Sequence, residues 1–211
     1  MNKLIAFLGC AVLISLILFM FDSFQLFLPV QSQHIDYFAK HYMNLPEASK
    51  NNKVVLSLTV SDQSNVPLLD VICSLLNQTR KVDQITVNIT KDKEASLPDK
   101  IRHYATVFYT HKDYGCANCI VPTILRERNE NTLIIFVNSE FIYNPNLVEQ
   151  MVEEANKYKE MAIKSSCGNS FIVRPSFFST DLRICDACSL DNIEKLITAP
   201  IKQTDKCFIA Q

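Results

Sequence analysis

Apolar and polar positions fall in blocks along this chain, and the blocks carry two periods. Short apolar runs rich in β-branched residues read as strands: Lys53 to Val60 (KVVLSLTV), Val82 to Ile89, Ala105 to Tyr109 and Leu133 to Val137. Between the first two, Leu68, Leu69, Val71, Ile72, Leu75 and Leu76 recur at helical spacing, with Pro67 suited to a first helical turn. Ile120 to Arg128 reads as a second helix. Asn146 to Tyr158 reads as a third, with Leu147, Met151 and Ala155 on one face. Asp92 to Asp99 and Asp113 to Asn118 are polar loops. Met161 to Ser165 and Phe171 to Arg174 suit further strands, and Asp191 to Thr198 a last short helix. Strands alternating with helices predict an α/β fold with βαβ units and a mostly parallel sheet.

One block has neither period. Leu4 to Phe21 (LIAFLGCAVLISLILFMF) holds no charged residue. A helix over this run would be roughly 27 Å long, close to the thickness of a hydrocarbon core. Lys3 precedes it and Asp22 follows, so the charge asymmetry puts the N-terminus in the cytoplasm and the remainder across the membrane. The expectation is a signal-anchor and a single-pass type II protein with its C-terminal domain lumenal or extracellular. A cleaved signal peptide, with Val30-Gln31-Ser32 as the small-residue cut, is the rival; the run is long for an h-region. A buried core helix fits poorly, since the run has no polar face. The expected organisation is a cytoplasmic tail over 1–3, a transmembrane segment over 4–21, a stem over 22–50 that is partly helical from His34 to Met43, and a folded domain over 51–211.

Composition narrows the chemistry. A length of 211 residues suits one domain. The net charge of -1 gives no sign of a nucleic-acid surface. Only three Gly occur, and no GxGxxG or Walker-type phosphate loop is present.

The run Leu133 to Val137 is unbroken by polar residues, as in a strand buried on both faces, and it ends in Asn138-Ser139-Glu140. Ligands of open α/β sheets bind beyond the carboxyl ends of the strands, so this triplet stands where a substrate or metal would sit. Other short pieces line up with it. Ser57-Leu58-Thr59 ends the first strand, Ser74-Leu75-Leu76-Asn77-Gln78-Thr79 the first helix. Val82-Asp83-Gln84-Ile85 opens the second strand, and Leu97-Pro98 lies in the next loop. Asp113-Tyr114-Gly115 and Tyr143-Asn144-Pro145-Asn146-Leu147-Val148 complete the series. In this order and spacing, over roughly residues 53 to 165, the chain resembles the GT-A glycosyltransferases of the family-2 type.

The resemblance implies a Rossmann-like GT-A sheet and transfer of a sugar from a nucleotide-sugar donor to a hydroxyl on a glycan or protein acceptor, with no nucleic-acid partner. It assigns donor binding to Thr59, Asp113 and Asn138. It assigns a divalent Mn²⁺ or Mg²⁺, neutralising the leaving diphosphate, to Glu140 and Asn138. The sequence departs from the family pattern in four places. A basic residue often found just after the first strand is missing, with Gln63 and Ser64 in that region. Asn138-Ser139-Glu140 stands where relatives carry two or three Asp. Gly115-Cys116-Ala117-Asn118-Cys119 stands where they show Gly-Pro-x-Thr-Lys, so the phosphate-facing Lys is absent. The C-terminal half is short, offering Asp181, Asp186, Asp191 and Asp205 for a general base, none in a recognised context. A catalytically inactive GT-A-fold binding or structural membrane protein is therefore the alternative, and the triplet can also be read as an ordinary strand-to-helix turn.

Eight cysteines occur. With Cys10 in the apolar run, Cys73, Cys116, Cys119, Cys167, Cys185, Cys188 and Cys207 remain, an odd number, so at least one has no intrachain partner. Cys73, on the apolar side of a helix, is the expected buried thiol. The CxxC pairs Cys116/Cys119 and Cys185/Cys188 suit disulfides in an oxidising lumen, a four-thiolate zinc site, or free thiols; zinc ranks below disulfides. Asn77-Gln78-Thr79 and Asn88-Ile89-Thr90 are N-glycosylation sequons; both read as incidental to the pattern, with Asn77 the better acceptor. His34, His41, His103 and His111 show no ligand spacing.

Overall fold

The computed structural model describes residues 35–60, 64–110, 118, 120–167, 169–178 and 197–209. The apolar run Leu4 to Phe21 lies outside them. No helix among the described residues is long and apolar enough to cross a membrane.

The element order is α1 (Ile35–Met43), β1 (Val54–Thr59), α2 (Leu68–Leu76), β2 (Gln84–Thr90), β3 (Thr106–Thr110), α3 (Val121–Arg126), β4 (Leu133–Asn138), α4 (Leu147–Lys157), β5 (Ala162–Lys164), β6 (Ser170–Val173) and β7 (Ile201–Gln203). The strands form one sheet in the order β3-β2-β1-β4-β6-β5-β7. Pairings β1–β2, β1–β4 and β2–β3 are parallel, each closed by a helical or long crossover. β6 runs antiparallel to both β4 and β5, whereas β5 pairs with β7 in parallel, so among the described residues four of the six pairings are parallel and the sheet is mixed but mostly parallel, as expected. Asp92 to Asp99, expected as loop, forms a 3₁₀ helix over Lys91–Ser96, and a second follows at Asp99–His103 after Pro98. Six residues of the expected helix Asp191 to Thr198 lie outside the described residues. Its end is not helical: Ile197 bridges Phe178, and Thr198 N–H donates to the Phe177 carbonyl at 2.7 Å.

The sheet is covered on both faces, which is why its central strand has no polar alternation. On one face Leu133, Ile135 and Val137 of β4 meet Val54, Leu56 and Leu58 of β1, Val87 of β2, and the apolar sides of α2 and α4. On the other, Ile134 and Phe136 pack with Ile120 and Ile124 beside α3 and with Phe171 and Val173 of β6. Helix α1, in the expected stem, belongs to the first core: Ile35 is fully buried. Its Tyr42 hydroxyl accepts the Val82 N–H at 2.8 Å. Burial raises the Tyr42 phenol well above the usual tyrosine range.

The second face is polar where α3 covers β1 and β2. Ser57 Oγ and Thr123 Oγ1 lie 2.8 Å apart. Asn88 Nδ2 donates to both, at 2.9 and 3.1 Å. Arg126 Nη2 donates to Asn88 Oδ1 at 2.9 Å while its guanidinium lies 3.5 Å from the centre of the Phe108 ring. Burial lowers this guanidinium to about 10. The network satisfies side chains that would otherwise be desolvated without partners.

Candidate functional site

Strand β1 is the first laid down, and the chain then runs outward through β2 to β3 before crossing back to place β4 on the other side of β1. The order therefore reverses between β1 and β4, and the crevice at the carboxyl ends of these two strands is the topological switch point of the sheet. Thr59 and Asn138, the last residues of the two strands, are register partners there. The sequence-predicted donor residues Thr59 and Asn138 are thus brought together. Asp113 lies outside the described residues, as do Cys116, Cys119, Cys185 and Cys188.

The turn that leaves β4 is held through its backbone groups, mostly by side chains that bond to them. Ser139 N–H donates to the Thr59 carbonyl at 3.0 Å, which ties the turn to β1. Ser64, in the segment after β1, donates its hydroxyl to the Ser139 carbonyl at 2.5 Å and accepts the Val66 N–H at 3.1 Å. Asn138 Oδ1 accepts the Glu140 N–H at 3.0 Å, a side chain bonding two residues onward in the manner of an Asx turn. Tyr143 closes the loop from behind: its hydroxyl accepts the Asn138 N–H at 2.9 Å and donates to the Asn138 carbonyl at 3.0 Å. The Glu140 side chain projects from this frame into solvent. Thr59 Oγ1 is buried and has no hydrogen-bond partner among the described residues. Next to Asn138, β6 begins at Ser170, and the buried side-chain nitrogen of Asn169 also lacks a partner.

Sequence reasoning located the triplet but not Ser64, Tyr143 or Asn169. Tyr143 belongs to the series that carries the resemblance and is one of two aromatics, with Phe141, just past the strand end, though nothing local shows that its ring turns back. Ser64 acts through a contact distant in sequence, and Asn169 is brought beside Asn138 only by the pairing of β6 with β4.

These residues do not by themselves assemble a divalent cation site. They supply one carboxylate, Glu140, and one amide oxygen that already accepts a bond. Among the described residues no three His, Cys, Asp or Glu side chains gather into a metal-binding group. Hard cations take six or more oxygens, so a Mn²⁺ or Mg²⁺ here would depend on ligands from elsewhere.

The described cysteines belong to neither CxxC pair. Cys167 and Cys207 form a disulfide with a Cα–Cα distance of 5.3 Å. It fastens the loop after β5 to a C-terminal strap that also bonds backbone to backbone, with Ser166 N–H donating to Lys206 and Asn144 N–H to Phe208. Cys73 is a buried free thiol, pushed up to about 12 chiefly by burial, so it is protonated and unreactive at neutral pH.

No protein-family sequence model matches the chain, and no curated protein matches it significantly in sequence. Solved structures do. The 1–349 fragment of S. aureus TarS in complex with UDP superposes with a TM-score of 0.51 at 11% identity, over 74% of this chain and 59% of that one. S. aureus TarS itself gives 0.50 at 13% identity, over 74% and 36%. The mannosyltransferase PcManGT from Pyrobaculum calidifontis, in complex with GDP-Man and Mn2+, gives 0.48 at 13% identity, over 80% and 63%. The chain spans about three fifths of the matched TarS fragment. At these identities the likeness to TarS is one of fold: the mixed α/β sheet is GT-A-like.

Proposed function

We propose that this chain is a membrane-anchored glycosyltransferase-like protein whose folded domain binds a nucleotide-sugar donor at the switch point between β1 and β4. Under this reading the run Leu4 to Phe21 is the anchor and the domain is lumenal or extracellular. The observation that carries the proposal is the polar strand-end pair Thr59 and Asn138 at the crevice of a GT-A-like sheet. The TarS fragment of the same fold was solved with UDP. Thr59, with its unpartnered hydroxyl, and Asn138 are the donor contacts of this reading, with Asp113 as a third. Glu140 is the exposed acid beside them. The reaction is transfer of the sugar to a hydroxyl acceptor, either a glycan or a protein.

A second reading, a binding protein of the same fold that transfers nothing, is favoured by the triplet itself. One carboxylate stands there, and the Asn138 amide oxygen is already engaged. Calorimetric titration of the detergent-solubilised full chain with UDP- and GDP-sugars, with and without Mn²⁺, tests both. Saturable binding that weakens tenfold or more in Thr59→Val, about 1.4 kcal/mol or above, supports donor recognition. Release of free nucleotide once glycan and protein hydroxyls are supplied to take the sugar identifies turnover; tight binding without release under the same conditions identifies the second reading. Silence toward every donor overturns both.

A further inference from the structure

The two sequons fall in opposite environments. Asn88 lies inside the polar layer between β1, β2 and α3 and is 1% exposed. Its amide nitrogen donates to Ser57 and Thr123 and its amide oxygen accepts from Arg126. An oligosaccharide on that nitrogen would have to occupy the space filled by α3, so a chain modified there could not close this layer. Asn77 is placed the other way. It ends α2, its backbone N–H donating to the Cys73 carbonyl at 2.9 Å. Asn77 and Thr79 are both part-exposed, whereas Gln78 between them turns inward. There Gln78 donates to the carbonyls of Ser74 and Asn144, each at 3.0 Å, and accepts from Val148 N–H. No hydrogen bond among the described residues engages the Asn77 side chain. Thr79 N–H donates to the Pro145 carbonyl and its hydroxyl to Glu149, so the folded tripeptide is anchored by its second and third residues, with the acceptor amide left outward.

A second observation bears on the compartment. The Cys167–Cys207 disulfide is of the kind that forms and persists in oxidising surroundings. The same compartments of the secretory pathway carry out N-linked transfer.

We propose that Asn77 carries an N-linked oligosaccharide and that Asn88 does not. This rests on the lumenal placement in the functional reading above, not on donor binding. The co-reactant is a lipid-linked diphospho-oligosaccharide. A bond forms between Asn77 Nδ2 and C1 of the first sugar, and the bond from C1 to the diphosphate oxygen breaks. The diphosphate leaves with the electron pair, and the amide gives up one proton to solvent. Transfer takes place on the chain before it folds; folding then keeps a glycan at Asn77 on the surface.

The test uses the full chain expressed in a host with a secretory pathway, as wild type, Asn77→Gln and Thr90→Val. The last removes the second sequon without touching Asn88. Free thiols are blocked before lysis, and each sample is run with and without peptide N-glycosidase. The wild type is expected to lose one glycan's worth of mobility shift. Asn77→Gln should show none, and Thr90→Val should keep the full shift. Peptide mass spectrometry of the wild type should find the Asn88 peptide unmodified, a readout independent of whether Thr90→Val folds. A shift that survives Asn77→Gln, modification at Asn88, or no shift in the wild type overturns the proposal. In that last case the thiols separate the causes. A Cys167–Cys207 bond leaves the lumenal placement standing without the glycan, whereas two blocked thiols remove the placement as well.

Discussion

Removing one hydroxyl behind the candidate site should measure how firmly its frame is held. Tyr143 is 2% exposed, and its hydroxyl bonds both the N–H and the carbonyl of Asn138. Tyr143→Phe keeps the ring and deletes both bonds, along with the hydroxyl's longer contact to the Asn169 carbonyl at 3.5 Å. Each is worth roughly 0.5–1.5 kcal/mol net, and the two together about 1–3 kcal/mol. Two effects lower the figure. The buried hydroxyl no longer has to be desolvated, and Asn138 sits part-exposed at a strand end, where water can replace some of the lost bonding. The expected loss is therefore about 1–2 kcal/mol, or roughly 3–6 °C in melting temperature for a domain of this size. Urea denaturation of the full chain in detergent, followed by tyrosine fluorescence and circular dichroism, gives the free energy directly. Tyr104→Phe is the matched control. That hydroxyl bonds Asp36 at the exposed surface, and its loss should cost under about 0.5 kcal/mol. Equal midpoints for Tyr143→Phe and wild type, or a larger loss in the control, would refute the assignment of Tyr143 as the clamp on the turn.

Three further outcomes follow from the packing and charges. The Cys167–Cys207 bond spans 40 residues of sequence, so Cys207→Ala should lower stability by about 3–4 kcal/mol by the loop-entropy estimate, and reductant should do the same to wild type but not to the variant. Ile35→Ala removes a fully buried side chain and should cost about 2–5 kcal/mol in urea denaturation; a neutral result would detach α1 from the core. Glu149 is held below the usual carboxylate range by Thr79 and then by Arg80, so its contribution is present above its unfolded pKa of about 4.3 and is lost as pH falls through the lower folded value. Melting temperature between about pH 3 and 6 should therefore fall less steeply in Glu149→Gln than in wild type.

The strands most visible in the sequence are those buried on two sides. Leu133 to Val137 could be read without ambiguity because both faces needed apolar residues, and β1 and β2 stood out through one apolar face each. Strand direction is absent from such patterns. That β6 returns antiparallel beside β4 follows from the short connection through β5, not from Ser170–Val173. Strand β7 escaped notice because Ile201, Lys202 and Gln203 offer one apolar residue in three. The disulfide was hidden for a similar reason. Cys167 and Cys207 share no motif spacing, whereas the CxxC pairs advertise themselves by proximity alone. The buried thiol of Cys73 was legible because it lay on the apolar stripe of a helix. Asn88 lies near a strand end, where the sequon alone does not say which way its side chain faces; the three-way contact with Ser57, Thr123 and Arg126 shows it to be interior.

The site itself divides into a frame and a display, and the two draw on different residues. Ser139 N–H on Thr59, Ser64 on the Ser139 carbonyl, Tyr143 on the Asn138 backbone and the Asn138 amide on Glu140 N–H all hold the turn. None of these contacts uses the Glu140 carboxylate. Glu140 thus stands exposed at the switch point, and among the described residues its carboxylate takes no part in the frame. Asn138 differs, because its amide oxygen serves the turn directly. The amide oxygen keeps the turn closed by accepting the Glu140 N–H, as a carboxylate oxygen at that position also could. Glu140→Ala should consequently leave unfolding unchanged, so any loss of donor affinity in that variant reports on the ligand and not on the scaffold.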